Sequence, residues 1–155
     1  MGTRSRIAVR IGNRYKSIYC HYDGYIEGVG KTLFMHYTEK NKVNQLLALG
    51  DISTLGKEIG VKHPFDSRLP EYKDMTLSYR RDRGERDCRA ETSPSYEEFM
   101  TLVDDCSAEF YYVMQKNTWY VACVYDNGLV EKNTLIPLED ALERLLQQQT
   151  KKLYA

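Results

Sequence analysis

The chain has 155 residues, 42% of them hydrophobic and 28% charged, and its 22 basic and 22 acidic side chains cancel to a formal net charge of zero. That length suits a single domain over residues 1–155 with a real core. Neutrality excludes a general DNA-coating protein, which needs a large basic excess, and equally an acidic DNA mimic.

Tyrosine is the compositional outlier, with 13 copies against 4 Phe and 1 Trp, so core edges and wet binding surfaces both have to be considered for it. Cys20, Cys88, Cys106 and Cys123 are widely spaced and form no CxxC pair. A zinc site of the usual spacing is therefore not expected, and Cys20 and Cys123 read as small core fillers. No apolar run reaches membrane-spanning length and no signal-peptide h-region is visible. The expectation is a cytoplasmic protein, in a host cell, with reduced thiols and no membrane partner.

In chain order, residues 3–11 alternate. Ser5, Ile7, Val9 and Ile11 point one way and Arg4, Arg6, Ala8 and Arg10 the other, which predicts a strand with one buried face. Gly12-Asn13-Arg14 is a turn and Tyr15 to Tyr22 a second strand, giving a hairpin. Ile18 and Cys20 suit the core side; Ser17, Tyr19 and His21 share the other face, beside the arginines. Asp23-Gly24 breaks the strand. A helix is predicted from Glu27 to Tyr37 on the spacing of Val29, Leu33 and Tyr37, and another from Asn41 to Leu49, ending at Gly50. Asp51 to Gly56 reads as a capped turn, and 60–73 as a loop crossing the domain.

Met75 to Arg81 is predicted as a third strand and Arg83 to Pro94 as a mobile charged loop. Ser95 to Asp105 is a helix with Ser95 as N-cap and Phe99, Leu102 and Val103 inward. A second hairpin, Glu109 to Gln115 and Thr118 to Tyr125, is apolar on both faces and so belongs in the middle of the sheet. Pro137 to Gln149 is an amphipathic helix. The sum is an α+β domain: a mostly antiparallel sheet of about five strands, with helices packed on one face.

Two polar stretches stand out, Ser17 to Lys31 and Tyr79 to Glu85, and they are expected to meet and form the site. Gly28-Val29-Gly30-Lys31-Thr32 resembles the end of a P-loop, but Tyr25 occupies the position where that motif needs its first glycine. A weaker version survives, in which backbone N–H groups and Lys31 hold one phosphate. The plain alternative is a tight turn that needs glycine. His21 and Asp23 have base-and-carboxylate spacing, yet His36 and His63 offer no third member for a metal or catalytic set. Asp23 fits a turn role and His21 a ligand hydrogen bond. In the second stretch Arg80 and Asp82 would share one strand face and Arg81 and Arg83 the other. That pattern is either a solvated ion-pair network or a set of arginines oriented by acids for phosphate, and the second reading is preferred.

The words MGTRSRI, YCHYDGY followed by GVGK, LLALGDIS and YRRDRGE, in that order, resemble a family of small uncharacterised proteins of bacteriophages and prophages. The resemblance covers most of the first 85 residues and the Trp119-Tyr120 strand. The family pattern often reads HWDGYP and YHRDRGE; here Tyr22 replaces the tryptophan, Ile26 the proline and Arg80 the histidine. A role built on that histidine does not carry over. The resemblance implies a phage accessory protein and no particular mechanism.

The leading expectation is a phage counter-defence protein that binds and sequesters a small nucleotide-derived signal without catalysis. Arg4, Arg6, Arg80, Arg81, Arg83 and Lys31 would hold phosphate, with Asp82 and Glu85 orienting the arginines. Tyr19, Tyr25 and Tyr79 would stack or hydrogen-bond, and His21 and Asp23 would complete the pocket. No residue is assigned as catalytic, and no metal or cofactor is called for. Arg81→Ala is expected to abolish binding with little effect on stability. The alternatives are a phosphodiester-cleaving hydrolase using His21, and a protein inhibitor of a host defence enzyme. Nucleic-acid binding ranks last, and a homo-oligomer with sites between subunits stays open.

Overall fold

A computed structural model describes residues 2–66 and 69–154. Within them lie eight strands: β1 (Ser5–Ile11), β2 (Arg14–Cys20), β3 (Ile52–Thr54), β4 (Leu77–Ser78), β5 (Glu91–Ser93), β6 (Phe110–Gln115), β7 (Thr118–Cys123) and β8 (Ile136–Pro137). The helices are α1 (Lys31–His36), α2 (Lys40–Ala48), α3 (Tyr79–Arg83), α4 (Tyr96–Asp105) and α5 (Leu138–Tyr154), and a π-helical turn at Ile26–Gly30 leads into α1. All eight strands form one open sheet in the order β4-β3-β2-β1-β6-β7-β8, with β5 added to the outer edge of β2.

The fold class is α+β as expected, but the sheet is larger and mixed. β1 pairs antiparallel with β2 on one side and parallel with β6 on the other, and β2 also pairs parallel with β3. Two distant parts of the chain supply the central parallel pair, so no local turn announces it. Both hairpins form as expected. The tip of the second carries Lys116 and Asn117 at φ 51° and 63°, the paired left-handed conformations of a two-residue turn that matches strand twist.

Helices cover both faces of the sheet, correcting the single-face expectation. On the first face, Ile7, Ile18, Cys20, Tyr112 and Val121 pack against Leu33 of α1, Val43, Leu46 and Leu47 of α2, and Leu138 and Ala141 of α5. On the second face Ala8, Tyr15, Tyr111, Val113 and Ala122 receive Phe99 and Val103 of α4. The Tyr15 and Phe99 rings stack with centroids 4.8 Å apart. The second hairpin is apolar on both faces because it is covered twice.

Much of the tyrosine excess is core with a polar tip. The buried Tyr112 hydroxyl donates to the Gly24 carbonyl at 2.7 Å, and Tyr37 donates to the Gly56 carbonyl at 2.7 Å. The Trp119 indole N–H in turn donates to the Tyr37 carbonyl at 2.9 Å. Each ring removes apolar area from water while its O–H or N–H satisfies a carbonyl that burial would otherwise strand.

Three local expectations change. Residues 51–56 contain strand β3 and not only a turn; three residues are too few to show a period. The expected strand over 75–81 is two residues long and then turns into α3, because the Ser78 hydroxyl accepts from Arg81 N–H as an N-cap and Gly84, at φ 75°, ends the helix. Arg80, Arg81, Asp82 and Arg83 therefore splay around a helical turn and do not alternate across a strand. The charged loop 83–94 contains β5, which pairs with β2. In the loop over 60–73, Ser67 and Arg68 lie outside the described residues. The Ser95 cap is as expected, its hydroxyl accepting from Glu98 N–H at 3.2 Å.

Replacing Tyr112 with phenylalanine leaves the Gly24 carbonyl buried without its partner. It should cost about 1–3 kcal/mol in urea unfolding, with an unchanged dependence on denaturant concentration. A loss below a few tenths of a kcal/mol would show that this bond does not hold the turn to the sheet.

Candidate functional site

The expected site residues fall at the end of the sheet where β2 changes partners. Tyr15 to Ser17 pair with β5, whereas Cys20 pairs with Ile52 of β3. Between these partners the Tyr19 N–H has no strand opposite it and donates instead to the Asp51 carboxylate at 2.9 Å. Beyond it, His21 and Tyr22 N–H groups donate to the Ile52 and Ser53 carbonyls at 3.1 and 3.0 Å. The polar face of β2 thus runs up to β3.

The hairpin register sets Arg6 opposite Tyr19. The Tyr19 hydroxyl lies 2.5 Å from His21 Nδ1. Burial pushes the Tyr19 phenol up to about 12, opposed by the positive charge of Arg4. Burial, together with the Arg4 charge, holds the His21 imidazole below its ordinary value. At neutral pH the tyrosine is therefore protonated and the histidine neutral, and the ring tautomer sets which of the two donates in their contact.

The second stretch arrives through the other edge of β3. Tyr79 N–H donates to the Asp51 carbonyl at 3.3 Å, and Ser53 opposes the rise that burial gives the Tyr79 phenol. Asp51 therefore links the two stretches, its carboxylate accepting from Tyr19 N–H and its carbonyl from Tyr79 N–H. The Phe65 ring stacks on Tyr79 with centroids 5.7 Å apart, and the Arg83 guanidinium lies over both rings, 4.5 Å from Phe65 and 5.0 Å from Tyr79. Such cation–π contacts contribute about 0.5–1 kcal/mol at exposed positions. Arg83 also pairs with Glu85.

The remaining residues divide by role. Arg6 is buried and committed: its Nε donates to Ser17 at 2.8 Å and its Nη2 pairs with Glu91 at 3.1 Å. Arg81 is committed more fully, donating to both Asp82 oxygens and to the carbonyls of Ile59, Gly60 and Thr76. Its loss therefore carries a stability cost, contrary to the expected stability-neutral variant. The Asp82 side chain is fully buried and also accepts from the Ser78 and His63 N–H groups at 2.7 and 3.2 Å. Burial raises its carboxyl, but Arg81 and those two N–H donors outweigh it and hold the group below the usual range. Arg80 is exposed.

Asp23, Tyr25 and Lys31 stand apart. Asp23 takes the turn role, at φ 59° with its carbonyl accepting from Val29 N–H at 2.8 Å and its side chain from Tyr25 at 3.3 Å. Tyr25, on the turn before α1, and Lys31, the first residue of α1, are exposed. No hydrogen bond or ion pair among the described residues joins these three to the second stretch.

Sequence reasoning missed Asp51, Ser53, Phe65 and Glu91. Asp51 is the most telling: burial raises its carboxyl, opposed by the Tyr19 N–H and Arg6. The available signal is an aspartate directly after a helix-ending glycine, a pattern that also fits a plain turn residue. Among the described residues no group of three His, Cys, Asp or Glu side chains converges on a metal-sized point. No helix of the described chain is long and apolar enough to cross a membrane.

Asp82→Asn should destabilise the protein by roughly 2–4 kcal/mol in chemical unfolding, since it strands a mostly buried guanidinium. The native carboxyl lies below its unfolded value near 4, so its stabilisation is present above that pH and fades as pH falls below it. The acid limb of the stability curve should accordingly be shallower in Asp82→Asn than in the parent. Parallel limbs would remove Asp82 from that role.

The chain matches no family model, and no curated protein or solved structure is similar to it.

Proposed function

We propose that this is a phage accessory protein that binds a small phosphorylated, nucleotide-derived signal at the corner between β2, β3 and α3 and holds it unchanged. One observation carries the reading. Arg4 forms no ion pair among the described residues, whereas Arg6, Arg81 and Arg83 each face a carboxylate. Arg4 acts electrostatically on both Tyr19 and His21, whose side chains touch, and the half-buried Tyr79 ring belongs to the neighbouring α3. One guanidinium and one neutral imidazole N–H suit a phosphate oxygen, and the Tyr79–Phe65 wall suits a base. Arg80 and Arg83 would extend the positive rim; Arg6, Arg81, Asp82 and Glu85 would position the others. The resemblance to phage proteins supports the biological setting, with a host-made signal as the ligand.

The test is mass spectrometry of small molecules released by heat from protein purified out of phage-challenged cells. An intact nucleotide-like species is expected. Arg4→Ala and Tyr79→Ala should each lower affinity for it about ten- to hundredfold while shifting Tm by no more than about 3 °C. Undiminished binding by both variants would remove the corner as the site. Release of cleaved ligand in place of intact ligand would turn the reading to a hydrolase that uses His21.

A further inference from the structure

At the opposite end of β1 the second face of the sheet is bare. The α4 helix covers Ala8, Val113 and Ala122 but leaves accessible the last cross-strand row, where Gln115 lies opposite Thr118, and Tyr120 next to it on β7. The two hairpin tips, Gly12-Asn13 and Lys116-Asn117, stand beside this row. Together they bound a groove of about 460 Å³ lined by Arg10, Asn13, Gln115, Lys116, Thr118 and Tyr120, with Gly12 at the tip. That volume falls within the range of small-molecule sites, about 300–1,000 Å³.

Charge sets the kind of occupant. No acidic residue lines the groove, and two cations do. Arg10 is held by neutral acceptors only: Nε donates to the Gly12 carbonyl at 2.8 Å and Nη1 to Gln115 Oε1 at 3.1 Å, with the guanidinium 5.7 Å from the Tyr15 ring centroid. These contacts fix the plane of the fork and leave Nη2 unspent. Lys116 forms no ion pair or hydrogen bond among the described residues. Glu97, on the first turn of α4, lines the adjoining cleft around Arg10 but lies beyond ion-pair distance. A pre-aimed guanidinium and an ammonium on separate hairpins, flanked by amides, a hydroxyl and a half-buried ring, call for more than one negative charge.

We propose that this groove is a second binding site, separate from the corner, for a small dianion of the phosphate or carboxylate kind, with Arg10 as its anchor and Lys116 as the second contact. The site is independent of Arg4, Tyr19 and Tyr79, so either one stands if the other fails.

Pyrophosphate and succinate are each titrated into ¹⁵N-labelled protein and followed by NMR, with the Arg10 Nε–H as reporter. Saturable shifts are expected there and at the amides of Asn13, Lys116 and Thr118. Arg10→Met and Lys116→Met should each weaken binding about tenfold, Arg10→Lys less, and Glu97→Gln should tighten it. Arg4→Ala should leave it unchanged. Response to pyrophosphate alone assigns a phosphorylated ligand and response to succinate alone a dicarboxylate; both support the site. Silence toward both probes, shifts confined to the corner, or undiminished binding by a correctly folded Arg10→Met protein overturns it.

Discussion

One strand serves two neighbours, and the polar chemistry of the sheet end follows from how that is resolved. The outer edge of β2 is taken first by β5 and then by β3, and the changeover leaves the Tyr19 N–H without a strand carbonyl. A half-buried amide without an acceptor costs about 1–3 kcal/mol, so something has to turn toward it. Asp51 does, which brings a carboxylate into the sheet end close to Arg6. Gly50 makes this approach feasible: at φ 79° it turns the chain out of α2, and a Cβ there would sit 2.2 Å from the Cys88 carbonyl. Because β3 begins right after Asp51, Ser53 and Tyr79 are carried to the same corner.

Neutral overall charge does not mean uniform neutralisation. Arg6, Arg81 and Arg83 are each matched by an acid, while Arg4 and Arg10, on the same strand face but toward opposite ends of β1, are not. Long-range steering by the whole protein is therefore weak, and recognition at either end depends on short-range geometry.

The sequence showed what is periodic or capped. The strand β1, the Ser95 cap, the Lys116-Asn117 tip and the doubly buried hairpin have local signals with a physical cause, and they appear where expected, except that β1 is buried on both faces from Ser5 to Ala8 and not on one. The helix at Tyr79 was legible in principle, since Ser78 is a good cap and Gly84 a good terminator, but the alternating charges imitated a strand period. The interior position of Arg81 was not legible. Its acceptors are carbonyls some twenty residues earlier, in a loop with no pattern of its own, and a charged run reads as solvated by default. Among the expected site residues, Arg4, Arg6, Tyr19, His21, Tyr79 and Arg83 cluster because the hairpin register and β3 bring them together. Tyr25 and Lys31 belonged to the same stretch of sequence, yet the Asp23 turn carries them away.

The parallel contact between β1 and β6 also dictates an order of events during synthesis. The first hairpin can close as soon as Cys20 is made, but β1 keeps an open edge until Phe110 to Met114 arrive to pair with Ser5 to Val9. Through most of translation the nascent chain therefore carries an unpaired strand that includes Ile7 and Val9, the kind of edge that other chains can join. The arginines at positions 4, 6 and 10 lie along that same strand, and in the unfinished chain their mutual repulsion discourages one copy from adding to another.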